Sequence, residues 1–205
     1  MNRFSLIRPI ALTLTAMVLS ACALLSTPDP VQTYRFGGVA ASSAAASVTA
    51  SPVQVTLRRV EFPKAVGGDR LLGVTGTETA YIAGARWVSP AADLYMESIE
   101  NAFAAQATRV RLIGPRELTR GQRSLDIDIR AFEARYEAAG LAPTIVVTAR
   151  ARLLTLPERT VAAEKVFTVE QPASANRVSS IVEAFDLATR DINAQIVAWT
   201  DASAG

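Results

Sequence analysis

SLDIDIRAFEARY, residues 124–136, is the stretch from which the architecture of this chain follows most directly. Its first half alternates strictly between apolar and charged side chains, which is the period-2 pattern of a half-buried β-strand. From Phe132 onward the apolar parity is reversed, and a reversal inside a strand predicts a β-bulge or a bend. The sequence therefore predicts one long strand with an apolar face, a charged face and an irregularity near its middle.

Further strands and helices surround this one. Thr144–Leu154 and Thr160–Glu170 read as two more strands, and three such segments in succession are typical of an antiparallel meander. Amphipathic helices are predicted over residues 90–106 and 176–199, each with one apolar stripe. The sequence thus predicts the α+β class, with a mostly antiparallel sheet packed by two helices in a single domain, residues 53–200. Shorter strands are predicted at residues 53–62, 71–74, 79–85 and 109–113.

Two pairs of charges lie on neighbouring strands of the predicted meander. Asp126 and Asp128 share one strand face, and Arg150 and Arg152 share a face of the next strand. Opposite charges on adjacent strands contribute about 0.2–1 kcal/mol per pair, so the four residues predict a device that sets strand register. A metal site or an acid pair is the alternative for the aspartates, and an interaction surface is the alternative for the arginines.

Composition restricts the chemistry that the chain can perform. There is no histidine and only one cysteine, which removes the commonest general base and leaves no partner for a disulfide. The glycine-containing stretches 67–68 and 73–76 lack the lysine and the spacing of a P-loop. The 21 basic and 19 acidic residues nearly balance, so no basic face for nucleic acid is expected. We expect no catalytic residue, no metal, no soluble cofactor and no nucleic-acid partner.

The single cysteine, Cys22, follows Leu19, Ser20 and Ala21 at the end of an apolar run. A short basic segment, an apolar run and small residues before a cleavage point are the parts of a secretory signal peptide, here residues 1–21. The run is too short for the ~20 residues that span a bilayer. The four residues resemble the lipobox of bacterial lipoproteins, whose cysteine carries diacylglycerol and an N-acyl chain such as palmitate. We therefore expect covalent lipid on Cys22.

The segment behind the cysteine carries a location signal and a tether. Asp directly after the lipidated cysteine retains lipoproteins at the inner membrane, and Ala23 stands there, so the resemblance implies the outer membrane, facing the periplasm. Residues 22–52 are rich in Ala, Ser and Pro and predict a tether. Within it, residues 32–36 predict either a short edge strand or a sticky patch. Residues 201–205 are expected to form a flexible tail.

The order of motifs along the chain is similar to that of the ABC-type transport auxiliary lipoprotein family, whose best-known members are PqiC-like. The pieces that carry the resemblance are YRF at 34–36, VEFP at 60–63, RWVSP at 86–90 and LDIDIRAFE at 125–133. The chain departs from the family in a long Ala/Ser insert at 39–51. None of these motifs is an active-site signature, so their order is what makes the resemblance specific.

The resemblance implies a non-enzymatic component of an MCE-type lipid transport system. In such systems an MCE-domain protein spans the periplasm, an ABC permease and ATPase work at the inner membrane, and the auxiliary lipoprotein docks the far end, with a homo-oligomer as one form. The alternative is an envelope lipoprotein that itself binds lipid, in a deep apolar cavity, or regulates a cell-wall enzyme. Tyr81, Arg86 and Trp87 are the candidates for a partner or oligomer interface, with core packing as the alternative for the tryptophan.

Overall fold

The computed structural model of the chain describes residues 31–38, 51–114, 117–119 and 121–204. Strands and helices follow one another there in an order that agrees with the sequence prediction. They are β1 (Gln32–Tyr34), β2 (Val53–Glu61), β3 (Arg70–Thr75), β4 (Glu78–Trp87), α1 (Ala91–Gln106), β5 (Val110–Ile113), β6 (Arg123–Tyr136), β7 (Thr144–Thr155), β8 (Thr160–Pro172) and α2 (Val178–Ser203).

β6 is the strand on which the sheet is built. Along one side it pairs with β7, and β7 pairs with β8, both in antiparallel ladders that are the longest in the sheet. Along its other side β6 pairs in parallel with two different strands, with β2 over its first half and with β3 at its end. β5 then lies beside β2, while β4 and β1 follow β3. The sheet therefore forks on one side of β6.

The fork explains the reversed parity in the sequence. The register between β6 and β7 shifts between Ile129 and Ala131, which is the predicted bulge. β2 pairs with β6 as far as Asp128, and β3 begins to pair at Ala134, so the bulge lies between the two partners. A bulge bends the strand and increases its local twist. The α+β class is confirmed, and parallel pairs at the fork accompany the longer antiparallel ladders.

Both helices cover the same face of the sheet. α2 contacts β7 and β8, α1 contacts β2 and β5, and the two helices contact each other. Between helices and sheet lies an aromatic core in which Phe132 of β6 is central, 5.1 Å from the ring of Phe36 and 4.9 Å from that of Phe185. Each aromatic side chain buries on the order of 150–250 Å². The other rings of this core belong to Phe62, Trp87 and Tyr95.

The domain begins earlier than the sequence predicts. β1 pairs in parallel with the end of β4, and Phe36, just behind β1, is 1% exposed. The backbone N–H of Gly37 donates to Oδ1 of Asp186 on α2 at 2.8 Å. The short strand predicted within 32–36 is thus present, but it is part of the compact unit, which starts at Gln32 and not at Val53. A buried ring supplies the contact energy that a three-residue strand lacks.

The ends of the helices also differ from the prediction. α2 continues to Ser203, and Ala204 is buried, so a flexible tail over 201–205 is wrong for its first residues. The reason is Asp201, whose carboxylate accepts hydrogen bonds from the backbone N–H groups of Thr108 and Val110 at 2.7 and 3.0 Å. This carboxylate ties the last turn of α2 to the start of β5.

α1 begins at Ala91 and has Pro90 as its N-cap residue, without a side-chain hydrogen bond at the cap. The first two N–H groups of the helix donate instead to the carbonyl oxygens of Gly68 and Gly67, at 2.9 and 3.3 Å. These donors have no partner inside a helix and must be satisfied from outside. The loop between β2 and β3 therefore caps the helix and is fixed in place by it.

Candidate partner-binding surface

The residues of the predicted lipid anchor, Cys22 with Leu19, Ser20 and Ala21, lie outside the described residues. Lipidation of Cys22 stays a prediction from the sequence. In the part of the chain that the structure describes, no helix combines the length and the apolar character needed to cross a membrane.

Trp87 is a core residue. Its side chain is 2% exposed and packs edge-on against Phe36 and Phe185, with ring centroids 4.9 and 5.4 Å away. Its position at the last residue of β4, with the same parity as buried Ala85, directs it into the aromatic core. The alternative of core packing is therefore the one observed, and the interface assignment is corrected for this residue: its ring is not accessible to a partner.

Tyr81 and Arg86, the other two candidates, lie on the surface of β4. The Tyr81 hydroxyl donates to the carbonyl oxygen of Ala65 at 3.1 Å, and an Nη of Arg86 is 2.7 Å from a carboxylate oxygen of Asp69. Both partners belong to the loop that caps α1. The two exposed side chains are therefore held in one orientation by a loop that is itself fixed.

Arg70 joins this group, and sequence reasoning missed it. Its guanidinium carbon lies 3.7 Å from the centroid of the Tyr81 ring, within the range of a cation–π contact. We call Lys64, Asp69, Arg70, Tyr81 and Arg86 together the β4 surface. Four of the five are charged, and Lys64 adjoins the loop residue that Tyr81 contacts.

The contact between Arg70 and Tyr81 depends on an irregularity in β4. Arg70 pairs with Arg86 and Leu72 with Tyr81, so four residues of β4 lie between these pairs where β3 has one. Gly84 lies inside this bulge with φ of +70°, a conformation that side chains with a Cβ rarely adopt. The glycine was the signal in the sequence, because a lone Gly within a strand pattern suggests a bulge. The glycine alone does not predict that the bulge brings Arg70 against the Tyr81 ring.

The outer edge of β4 is open over most of its length. β1 pairs with Ala85–Trp87 only, so Glu78–Gly84 has no strand on that side within the described residues. Nearly all side chains of this segment are exposed on both faces. Backbone N–H and C=O groups of an unpaired edge are a template for a further strand.

A shallow cleft of about 600 Å³ adjoins this edge. Its floor is formed by Gly73 and Ala80, which are paired across β3 and β4, and Tyr136 forms one wall. A Cβ added at Gly73 would lie 3.2 Å from the Tyr136 ring, so the glycine lets the ring pack close to the sheet. Partial burial raises the pKa of the Tyr136 phenol, which is therefore uncharged at neutral pH. The cleft offers a largely uncharged recess beside the charged β4 surface.

A second cleft, of about 750 Å³, opens between α1 and β5. Phe103, Ala107, Val110 and Leu112 give it an apolar lining, and Glu100 lies at its margin. It is open to the surface and is not enclosed by the core.

The charged face of the meander has the arrangement that the sequence predicts. Asp128 is opposite Arg150 with 3.0 Å between Oδ2 and Nη2, and Asp126 is opposite Arg152 with 3.9 Å between the corresponding atoms. The predicted cross-strand pairing of these charges is confirmed, and their role in setting the register stays a prediction. Within the described residues, no three His, Cys, Asp or Glu side chains come together as a metal-binding group would require.

The fold and this surface define a class of protein: a small α+β domain with a filled aromatic core and an ordered, open strand edge, suited to binding. The chain belongs to the family of ABC-type transport auxiliary lipoprotein components, whose pattern its sequence matches over residues 34–197. The predicted family resemblance is confirmed.

Solved structures share the fold. A protein from Xanthomonas campestris of the DUF330 family is 23% identical, with 84% of this chain and 96% of that chain covered and a TM-score of 0.67. An uncharacterized protein is 15% identical over 76% and 99% of the two chains, with a TM-score of 0.61. No curated protein matches the sequence.

Proposed function

We propose that this chain is a non-catalytic outer-membrane lipoprotein that serves as the docking component of an MCE-type ABC phospholipid transport system in the Gram-negative envelope, where it supports membrane integrity. The observation that carries the proposal is the family match over residues 34–197, since the family consists of auxiliary components of ABC-type transport. The lipobox-like sequence before Cys22 and Ala23 behind it support the anchor and the outer-membrane location.

The anchor would hold the domain close to the membrane. Lipid on Cys22 adds about 0.8 kcal/mol of membrane affinity per buried CH₂, and two or more chains anchor a protein durably. Because the domain starts at Gln32, only the nine residues Ala23–Val31 separate it from the lipidated cysteine. At about 3.3–3.6 Å per residue such a segment reaches no more than about 35 Å.

The partner in this proposal is the periplasm-spanning MCE-domain protein, and through it the ABC permease and ATPase. Tyr81 and Arg86 are the residues that we assign to the contact, either with this partner or with further copies of the chain. Support comes from their exposure combined with fixed orientation, because pre-ordered side chains lose little conformational entropy on binding.

The competing function is direct lipid binding, and the cleft between α1 and β5 is the observation that favours it. Most of its lining is apolar, with Glu100, Arg111 and Glu117 as the charged members, and its volume of about 750 Å³ lies within the usual range for ligand sites. Its openness and small alanine side chains are less suited to a lipid carrier, which would enclose an acyl chain. Regulation of a cell-wall enzyme has no specific observation in its favour.

Co-purification tests the docking proposal. The mature chain with Cys22→Ala should form a complex with a periplasmic MCE-domain protein from the same organism when both are expressed without membranes. The same chain should carry no phospholipid when its organic extract is examined by mass spectrometry. Absence of a complex at micromolar concentrations, together with stoichiometric phospholipid in the extract, would favour direct lipid binding.

Fractionation tests the anchor separately. The wild-type chain should sediment with outer membranes and incorporate labelled palmitate, whereas Cys22→Ala should do neither and remain folded. Ser20→Ala, which keeps a small residue before the cysteine, is the matched control and should behave like wild type. Outer-membrane association of Cys22→Ala would contradict the lipid anchor.

A further inference from the structure

The open edge of β4 lacks two of the features that usually protect an edge strand, charged side chains and proline, and keeps a third, the β-bulge that contains Gly84. Native edges are blunted by charged side chains, especially lysine, or by proline. Thr79–Ala85 contains neither, and Tyr81 on this segment is 37% exposed. Ile82, Ala83 and Gly84 in the bulge are matched with no residue of β3 or β1 in the strand registers. Thr79–Ala85 therefore has no charged side chain that would keep a further strand from pairing with its backbone.

The charges beside this edge are mostly positive, because Lys64, Arg70 and Arg86 outnumber Asp69 and Glu78. Arg86 is paired with Asp69, but no carboxylate among the described residues lies within ion-pair distance of Arg70 or Lys64. The Arg70 guanidinium is held against the Tyr81 ring, which leaves its N–H groups free to donate. A guanidinium with free donors matches the geometry of a carboxylate.

We propose that the partner binds as an extended segment that adds a strand to the Glu78–Gly84 edge of β4 and places an acidic side chain against Arg70. This inference rests on the proposed docking function and names the chemistry of the partner at that site. Main-chain hydrogen bonds along the edge would provide affinity, and alternate side chains would enter the cleft over Gly73 and Ala80 or face Arg70 and Lys64.

Three observations favour a peptide over an anionic membrane at this place. The unpaired N–H and C=O groups of β4 match a second backbone, which a lipid headgroup lacks. The adjoining cleft of about 600 Å³ accommodates side chains next to that backbone. Asp69 lies within the patch and reduces its net positive charge, which weakens attraction to a uniformly anionic surface but leaves the single ion pair at Arg70 intact.

The test uses the mature chain with Cys22→Ala, labelled with ¹⁵N, and two synthetic strands as probes. One is acetyl-Thr-Val-Glu-Val-Glu-Val-Thr-amide, and the other has lysine in place of both glutamates. The acidic peptide should shift the amide resonances of Glu78–Gly84, and the basic peptide should bind at least fivefold more weakly. Arg70→Glu should weaken the acidic peptide about fivefold, as expected for loss of an exposed ion pair.

Lys165→Glu is the matched control, since it makes the same charge change on another edge strand of the sheet, β8. It should leave the affinity for the acidic peptide unchanged. Shifts at β8 instead of β4, or equal binding of both peptides, would overturn the proposal. So would binding to vesicles of 30% phosphatidylglycerol in phosphatidylcholine that Arg70→Glu abolishes, because that outcome assigns the patch to the membrane.

The same variants separate this inference from the docking function. If the MCE-domain protein co-purifies with wild type and with Arg70→Glu equally well, docking stands and the assignment of its partner chemistry to β4 is overturned. If the acidic peptide binds β4 while no MCE-domain protein co-purifies, the strand-addition site stands and the MCE-domain protein is not the partner that binds there.

Discussion

Among the residues that the structure describes, β4 and β8 are both open edges of one sheet, and their sequences differ in how they protect that edge. β8 presents thirteen residues, among them Glu164, Lys165 and Glu170, and it ends in Pro172. β4 presents Glu78–Gly84, with no charge after its first residue. Charges and proline on an edge disfavour pairing with another chain. The charges and the proline of β8 therefore disfavour pairing with another chain, whereas residues 79–84 of β4 carry neither and leave the edge open to a further strand.

The two edges also differ in what supports them. β8 forms a long antiparallel ladder with β7, interrupted by one register shift between Leu153 and Leu154, and β7 is tied to β6 by the cross-strand pairs of Arg150 and Arg152. β4 is held by a short register with β3 and by three residues of β1, over the aromatic core. One side of the sheet depends on local, repetitive contacts, and the other depends on a few large side chains from distant parts of the chain.

Phe36→Ala is the change expected to have the largest effect, because it removes a ring on which β1 and the end of β4 rest. Truncation of a buried phenylalanine costs about 3–5 kcal/mol of unfolding free energy. We expect the loss in urea unfolding of the mature Cys22→Ala chain, together with faster amide exchange in β1 and β4 than in β8. Tyr34→Phe, which alters only an exposed hydroxyl bonded to Gln32, is the control and should stay within about 0.5 kcal/mol. If amide exchange in β8 became faster by the same factor as in β1 and β4, the β4 side and the β8 side of the sheet would not be independent.

The difference between the sides also marks what the sequence could predict. The meander follows from period-2 alternation, and even its bulge and its charge pairs could be predicted, because every partner lies one strand away along the chain. The fork could not be predicted in this way. Pairing of β2 and β3 with the same strand and the insertion of Phe36 depend on contacts between distant segments, which no local periodicity encodes. The stacking of Arg70 on Tyr81 joins consecutive strands, but it depends on the length of the bulge in β4, which the alternation of side chains does not specify.

Tyr95→Phe, on α1, is expected to raise the unfolding free energy, whereas Phe36→Ala is expected to lower it. The Tyr95 ring is fully buried, 5.5 Å from Phe62, and its hydroxyl has no hydrogen-bond partner among the described residues. An unsatisfied buried polar group costs about 1–3 kcal/mol, so its removal should raise the unfolding free energy by about 1–2 kcal/mol. Urea unfolding at neutral pH measures the change, and destabilisation would indicate a partner for the hydroxyl in solution.

The dependence of the unfolding free energy on alkaline pH provides a second test of the burial of Tyr95. Burial raises the pKa of the Tyr95 phenol well above its ordinary value. The folded state thus holds this proton more tightly than the unfolded state, and stability from this group is fully present below about pH 10 and lost as pH rises beyond it. The wild-type chain should lose stability more steeply than Tyr95→Phe above pH 10. Identical slopes for the two chains would contradict the burial of this phenol.

Arg150→Met addresses the β8 side and should have a smaller effect. The Arg150 and Asp128 side chains are 26% and 28% exposed and pair at 3.0 Å, so solvent screens part of their attraction. Cross-strand pairs of this kind contribute about 0.2–1 kcal/mol, and we expect a loss in that range. Salt should reduce the difference between the variant and wild type in urea unfolding. Arg58→Met, at an exposed position of β2, is the control without an ion pair to a described residue and should show no salt-dependent difference.

The smallest effect on stability, and the most direct test of the two edges, is expected when Glu164, Lys165 and Glu170 are all replaced by glutamine. These side chains are exposed, so their replacement should change the unfolding free energy by no more than about 0.5 kcal/mol. It leaves β8 with a long, uncharged edge that carries exposed Val161 and Val166. The variant should therefore self-associate in sedimentation velocity at concentrations where the wild type does not, since loss of edge charges removes the barrier to strand pairing.

The control for this variant replaces three exposed residues of α2, Glu183, Arg190 and Asp191, by glutamine. It makes the same net charge change and should leave the sedimentation profile unaltered. If the β8 variant behaves like that control, charge is not what keeps β8 unpaired, and the absence of charge on Thr79–Ala85 no longer supports strand addition at β4.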